Sequence, residues 1–308
     1  MLSFSQTIKQ ELLKVETKKE CCKEALLCAL VSFLGEIKYE GGKAALFVKT
    51  ENEGIVKLVE RLLFEVFGIR EDRYKLVKRK ERFYIIIDDE DVLDILIDGF
   101  NFKDEEFEDL IVFNTDPKII SSLCCKKALV RGAFLAAGSI NPPEKNYHFE
   151  IVIKHFLLEE GLISCFTAFD LHPKTIMRKS SKVMYFKDGD EIADCLNLMG
   201  AHNSLMDYLN TRIIKEQRNN INRQVNCETA NITKTIDASI KHVESIEKIK
   251  NTIGLENLPE NLYEIAKLRL EEPEASLKDL GQMLHPPISK SGVNHRLKKI
   301  MEIAKDIK

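Results

Sequence analysis

One stretch of this chain occurs twice. CCKEALLCALVSFLGEI (21–37) aligns with CCKKALVRGAFLAAGSI (124–140) at a constant offset of 103. Seven of the 17 positions are identical: Cys21/Cys124, Cys22/Cys125, Lys23/Lys126, Ala25/Ala128, Leu26/Leu129, Gly35/Gly138 and Ile37/Ile140. Whatever one copy folds into, the other must fold into as well, which removes most architectures at once. The pattern persists downstream. The first copy continues with strand-like AALFVKT (44–50), an amphipathic helix (55–68), strand-like segments at 75–80 and 82–88, and a helix over 92–100. The second continues with HFEIVIK (148–154), a helix over 157–170, strand-like segments at 174–180 and 182–188, and a helix over 192–201. Each copy reads helix, two strands, helix, hairpin, helix. Gly41 and Gly42 supply the first turn in one copy, and NPPEKN (141–146) takes that place in the other.

The two opening helices are rich in small side chains. One carries Cys28, Ala29, Ser32 and Gly35; the other carries Gly132, Ala133, Ala136, Ala137 and Gly138. Small residues let helix backbones approach closely. The expectation is a pair of α/β units packed about a pseudo-two-fold axis through these helices. Two small domains with no shared core are the alternative.

Charge is distributed unevenly along the 308 residues. Residues 1–204 carry 29 basic and 34 acidic side chains, whereas 205–308 carry 17 and 15. Within 286–308 six basic residues face only Glu302 and Asp306. A basic C-terminus on an acidic body points to a polyanionic partner there; a solvated helix face is the plainer meaning. An acidic run at 88–109, in which only Lys103 is basic, is expected to lie away from any nucleic acid.

A hydrophobic content of 44% excludes wholesale disorder. The longest apolar stretch, 25–34, is about half of a bilayer span. The N-terminus carries Lys9 and Glu11 and no signal-peptide core, so a cytoplasmic protein with no membrane partner is expected. The eight cysteines (Cys21, Cys22, Cys28, Cys124, Cys125, Cys165, Cys195 and Cys227) form no CxxC pair and no zinc-finger spacing with histidine. They are expected to be reduced buried thiols, with no metal site and no cofactor, a metal or redox role being the alternative. HExxH, GxxxxGK[ST] and GxSxG are all missing from the sequence.

The C-terminal third reads as helical. Residues 207–224 are helix-like and rich in Asn and Arg, and 225–235 read as a polar interruption. Apolar residues at 236, 240, 243, 246, 249 and 253 then mark an amphipathic helix closed by Gly254. Arg218, Arg223 and Lys234 fit phosphate contacts or a solvated linker equally. From 259 to 308 come a helix (259–273), a short helix capped by Ser276, a break at HPPISK (285–290), and a basic last helix. Helix, short helix, turn and basic helix make a helix-turn-helix, whose last helix enters the major groove by its N-terminal end. The residues there are Ser289, Lys290, Ser291, Asn294, His295 and Arg296, with Lys298 and Lys299 along the backbone and Ser276 and Lys278 at the short helix. Asn and Arg suit bidentate base contacts; Ser and Lys reach phosphates or bases. A three-helix protein-interaction module is the alternative. The expected organisation is α+β: a repeat domain over 1–205 (halves about 1–110 and 120–205), a linker helix and loop over 206–235, and an all-α helix-turn-helix domain over 236–308.

The paired helices resemble the LAGLIDADG motif of homing endonucleases, best in VRGAFLAAGS (130–139) and more loosely in LCALVSFLG (27–35). The resemblance implies a saddle of two α-β-β-α-β-β-α units with the motif helices at its centre. In those nucleases the acidic residue before the last motif glycine holds the metal that activates water. The matching positions are Leu34 and Ala137, preceded by Ser32 and Leu135 where a further acid would stand; Glu36 is matched by Ser139. No symmetric carboxylate pair remains, so no catalytic residue and no enzyme activity are expected. Arg79 and Lys80 in one hairpin, and Arg178 and Lys179 in the other, are expected as secondary DNA contacts.

Taken with SFSQTIKQEL (3–12), NRQVNCETANITKTI (222–236), LPENLYEIAKLRLEEPEASLKDLG (258–281) and ISKSGVNHRLKKI (288–300), the order of parts resembles the WhiA family. That resemblance implies a double-stranded-DNA-binding, nucleoid-associated transcriptional regulator linked to cell division, chromosome segregation and, where it occurs, sporulation. It implies a WhiB-type partner protein in actinomycetes only. The oligomeric state is left open. The alternatives are a Mg²⁺-dependent endonuclease, and an adaptor that binds a regulatory protein through the repeat domain.

Overall fold

The computed structural model describes residues 2–40, 42–103 and 110–307. Gly41 of the expected Gly-Gly turn, five acids of the 88–109 run (Asp104, Glu105, Glu106, Glu108 and Asp109) and Lys308 lie outside the described residues. The chain forms two compact units, residues 1–215 and 216–308.

In the first unit, α1 (Phe4–Leu12) starts from a capping box between Ser3 and Gln6. The first copy follows as α2 (Glu20–Leu34), β1 (Gly35–Glu40), β2 (Lys43–Thr50), α3 (Glu53–Phe67), β3 (Lys75–Arg79), β4 (Arg82–Ile87) and α4 (Glu90–Phe100). The second repeats it as α5 (Leu123–Ala137), β5 (Gly138–Ile140), β6 (Phe149–Ile153), α6 (Leu158–Thr167), β7 (Lys174–Arg178), β8 (Ser181–Phe186) and α7 (Gly189–Met199). Each copy builds an antiparallel four-stranded sheet with the same order, β1-β2-β4-β3 and β5-β6-β8-β7. Gly35 pairs with Val48 and Gly138 with Ile151, so both sheets start directly at the end of an opening helix. The fold is the expected α+β pseudo-repeat.

The two copies share one core, which settles the alternative of separate small domains. It runs without interruption from Ile8 to Tyr208 and draws on both sheets. In α2 every residue from 25 to 33 is buried, as befits a helix apolar on all sides. Ser32 is buried too, and its hydroxyl donates to the Cys28 carbonyl at 2.7 Å. α2 and α5 meet at the small residues: a Cβ added to Gly132 would stand 2.6 Å from Ala29 Cβ and 2.9 Å from the Leu26 carbonyl oxygen. Two further links tie α1 to the core. Ser5 Oγ donates to the Ile140 carbonyl and accepts from the Ile140 N–H, both at 2.8 Å. The Glu11 carboxylate accepts from the N–H groups of Asn203 and Ser204 at 2.7 and 2.9 Å, capping the next helix.

That helix, α8 (His202–Thr252), corrects the expected organisation. The polar interruption at 225–235 is helical. The segment contains neither Pro nor Gly, and its Asn and Thr residues each cost only tenths of a kcal/mol, ~0.7 at most, against Ala. Polarity there reflects exposure of the helix. Residues 206–215 also belong with the first unit: Tyr208 is buried in its core, and Arg212 pairs with Asp190. The second unit is a bundle of α9 (Glu260–Glu271), α10 (Leu277–Met283) and α11 (Lys290–Asp306) against the end of α8. Ile246, Ile249, Leu262, Ile265, Leu280, Val293, Leu297 and Ile300 form its core. His242 is buried beside Arg269, and burial and that cation hold its imidazole below its ordinary pKa of 6.5.

Two outcomes follow. Gly132→Ala is expected to destabilise the first unit by about 1–3 kcal/mol, since the Leu26 carbonyl is backbone and cannot step aside; Gly42→Ala, with open space around it, serves as the comparison for left-handed strain alone. Because His242 stays neutral when folded but titrates near 6.5 when unfolded, acid destabilises the second unit. Below about pH 6.5 stability falls by up to ~1.4 kcal/mol per pH unit, until the folded group itself protonates. In thermal melts, the parent should lose ground to His242→Leu as pH falls from about 7.5 to about 5.5.

Candidate nucleic-acid interface

The candidate surface of the second unit is built on two capped helices. Ser276 caps α10, accepting from the Asp279 N–H at 3.3 Å, while its hydroxyl donates to the Asp279 carboxylate at 2.7 Å. Ser289 caps α11 and accepts from the Gly292 N–H at 3.2 Å. Between them the chain turns back tightly, with Ile288 N–H bonded to the Gly281 carbonyl at 2.9 Å. Gly281 permits this approach: a Cβ there would stand 2.4 Å from the Ile288 carbonyl oxygen. Buried Arg269 donates to the carbonyls of Pro273 and Ala275 at 3.1 and 2.7 Å, fixing the connection from α9 to α10. Burial lowers the Arg269 pKa from its usual value.

Helical geometry sorts the candidate residues of α11, because successive residues turn about 100°. Val293, Leu297, Ile300 and Ala304 are buried. The opposite face therefore presents Ser291, His295 and Lys299, with Lys298 beside them, all exposed. Asn294 and Arg296 are both half-buried and sit on opposite flanks of this face. Arg296 donates to the Asn261 carbonyl at 3.2 Å, which ties its flank to the start of α9. The two side chains singled out for bidentate contacts thus do not converge on one spot.

Lysines converge where the sequence order does not suggest it. Lys234, Ser239, Lys278 and Lys290 line a groove of about 440 Å³, with Arg269 and His242 beneath. The capped start of α10 opens into the same groove through Ser276. Spacing along the chain does not reveal this set, because Lys234 lies far upstream and reaches the others only through the bundle. Arg218 and Arg223 are exposed on α8.

The basic hairpins of the first unit are partly neutralised, at their roots. Arg73 pairs with Asp89 at 2.6 Å, Lys75 with Asp88, and Arg82 with Glu51 at 2.9 Å. The Arg73 guanidinium holds the Asp89 carboxyl below the usual carboxylate range. The acidic run thus begins against the root of this hairpin. At the tips, Arg79 and Lys80 are exposed, as are Arg178 and Lys179. Lys80 and Lys179 hold the left-handed turn position, with φ of 56° and 57°. Arg178 lies 3.8 Å from Glu150.

At the C-terminal ends of α2 and α5 lies a cleft of about 670 Å³. Leu34, Leu135 and Ala136 line it, together with Glu36, Lys154 and His155. The His155 ring N–H donates to the Gly35 carbonyl at 3.1 Å, linking the two copies. Lys9 also faces this cleft, and burial pushes its ammonium down to about 8. The motif positions offer the leucine and alanine side chains of Leu34 and Ala137, so they do not fit the divalent ion that the nucleases hold, which needs oxygen donors. Among the described residues, one group of three or more metal-ligating side chains gathers, and it stands elsewhere: Cys21, Cys22, Cys124 and Cys125. Spacing along the sequence does not reveal this set, because it forms across the repeat. Elsewhere in the core, burial pushes the thiols of Cys28 and Cys165 up to about 12.

No helix among the described residues is long and apolar enough to cross a membrane. Three family models match the chain: the WhiA N-terminal LAGLIDADG-like domain over 20–98, the WhiA LAGLIDADG-like domain over 126–218, and the WhiA C-terminal HTH domain over 221–304. A relative named probable cell division protein WhiA, from Thermoanaerobacter pseudethanolicus, is 44% identical over 315 residues, covering 100% of this chain and 98% of its own. One of the same name from Alkaliphilus metalliredigens is 41% identical, with 98% of each chain covered. Among solved structures, full-length DUF199/WhiA from Thermatoga maritima shares the fold at a TM-score of 0.57 and 24% identity, covering 99% of this chain and 98% of that one. The chain belongs to the WhiA family, with a LAGLIDADG-like repeat followed by a helix-turn-helix domain.

Proposed function

We propose that this protein is a double-stranded-DNA-binding regulator of cell division that reads DNA through its helix-turn-helix unit and has no nuclease activity. The observation that carries this is the outward face of α11: Ser291, His295, Lys298 and Lys299 stand exposed beyond a Ser-capped N-terminus, while the apolar side of the same helix is fully packed. Free N–H groups at that terminus favour a phosphate. Lys278, Lys290, Lys298 and Lys299 supply phosphate contacts, and Lys234 extends the same basic surface. Ser291 and His295 face the base edges, joined by Asn294 from one flank; Arg296 reaches the groove from the other flank while braced on Asn261. Arg79, Lys80, Arg178, Lys179, Arg218 and Arg223 are secondary contacts that add avidity through effective concentration.

The cell-division role follows the names of the relatives; transcriptional control, chromosome segregation, sporulation, nucleoid association and a regulatory protein partner extend the same proposal. The absence of nuclease chemistry is supported by the side chains at the motif positions, Leu34 and Ala137.

Duplex binding by the full chain should weaken steeply with salt. Four phosphate-neutralising lysines predict a slope of at least about 4 in magnitude in log K against log salt, which the secondary contacts steepen. Lys298→Ala and Lys299→Ala should each reduce that slope by about 1 and weaken cognate and random DNA alike. Asn294→Ala should instead cost about 1–3 kcal/mol of discrimination and leave random-DNA affinity unchanged. Affinity flat in salt, or equal losses on all sequences for every variant, contradicts the assignment. With Mg²⁺ present, supercoiled plasmid should stay intact; nicking that a Glu36→Gln variant abolishes would establish an endonuclease instead.

A further inference from the structure

Cys21 and Cys22 are the second and third residues of α2, and Cys124 and Cys125 are the second and third of α5. The pairing of these helices brings both dipeptides to one place, where the four Sγ atoms all lie within 4.8 Å of one another. Core packing does not account for this. Cys28, Cys165 and Cys195 are fully enclosed, whereas Cys21 is exposed and Cys124 half-buried. An exposed thiol gains nothing from burial and is open to oxidation.

We propose that Cys21, Cys22, Cys124 and Cys125 form a four-thiolate site for one tetrahedral zinc ion that fastens the two copies of the repeat together. A Zn–S bond of about 2.3 Å sets the sulfur–sulfur separation of a tetrahedral site at about 3.8 Å. Sulfurs already within 4.8 Å reach that spacing by side-chain adjustment alone. Four soft sulfur donors with no oxygen or nitrogen among them select zinc over magnesium or calcium. The negative charge of four thiolates falls on the N-terminal ends of two helices, whose free N–H groups favour it. The Ser122 hydroxyl lies 2.9 Å from Cys125 Sγ and 3.1 Å from Cys124 Sγ, placed as an outer hydrogen-bond donor to the ligands. The site lies at the opposite end of the helix pair from Leu34 and Ala137. Along 15-residue helices that is about 20 Å away, so it is distinct from the position at which the nucleases bind metal. Nothing in it depends on DNA binding.

The test uses the full chain, reduced, stripped of metal under anaerobic conditions and titrated with Co²⁺ alone. One equivalent should bind, with the visible bands and thiolate-to-metal charge transfer of a tetrahedral four-sulfur centre. Zn²⁺ should displace it and raise the melting temperature. Cys21→Ser with Cys124→Ser should abolish the spectrum, while Cys227→Ser, at an exposed site on α8, should leave it unchanged. Circular dichroism without metal checks that the double variant folds; single Cys21→Ser, at an exposed position, gives a second check through a weakened, altered spectrum. No stoichiometric uptake by the fully reduced chain overturns the proposal, as does an unchanged spectrum in the double variant. Protein isolated with iron and acid-labile sulfide at these cysteines overturns it in favour of a cluster.

Discussion

Backbone proximity between α2 and α5 governs the rest of the first unit. A methyl group at Gly132 would press on the Leu26 carbonyl and on Ala29, so the helices sit as close as side chains allow. That approach puts the end of each helix beside its counterpart. From the C-terminal ends spring β1 and β5, which start the two sheets at Gly35 and Gly138. From the N-terminal ends come the four gathered thiols. Two-fold repetition of a modest sequence thus creates two special places, one at each end of the axis. One of them is a cleft lined by Leu34, Leu135 and Ala136. The other carries the four thiols.

Much of this was legible in the residues. The gapless offset of 103 predicted two equal halves, and the small residues in the opening helices predicted which elements would meet. The turn chemistry and the apolar spacing of 259–308 predicted the helix-turn-helix. What escaped has physical causes. Residues 225–235 looked like a loop because they are polar, yet polarity alone does not break a helix that lacks Pro and Gly. The acidic run at 88–109 gave no sign of its ion-pair partners, because only the strand pairing around β4 brings Asp88 and Asp89 against Lys75 and Arg73. Arg296 and Asn294 looked like neighbours in one site because they are close in sequence; two residues apart on a helix is nearly the far side.

The cysteines show the same lesson most sharply. Metal-binding motifs are searched for as spacings along a chain, and CC followed 102 residues later by CC matches none of them. Overlaying the two copies turns those spacings into a cluster. Electrostatics divides the molecule in a related way: several cations of the first unit are held in internal ion pairs, such as Lys75 with Asp88 and Lys182 with Glu159, whereas the lysines of α10 and α11 face water. A charge count by region hints at this division, and the pairing explains it.

Amide hydrogen exchange of the full chain with and without a DNA duplex tests the central claim most directly. Slowed exchange centred on the N-terminal turns of α10 and α11 is the predicted outcome, with the cleft lined by Leu34 and Ala136 unchanged. Protection centred on that cleft or on the sheets, with α11 exchanging as it does in free protein, would contradict the account.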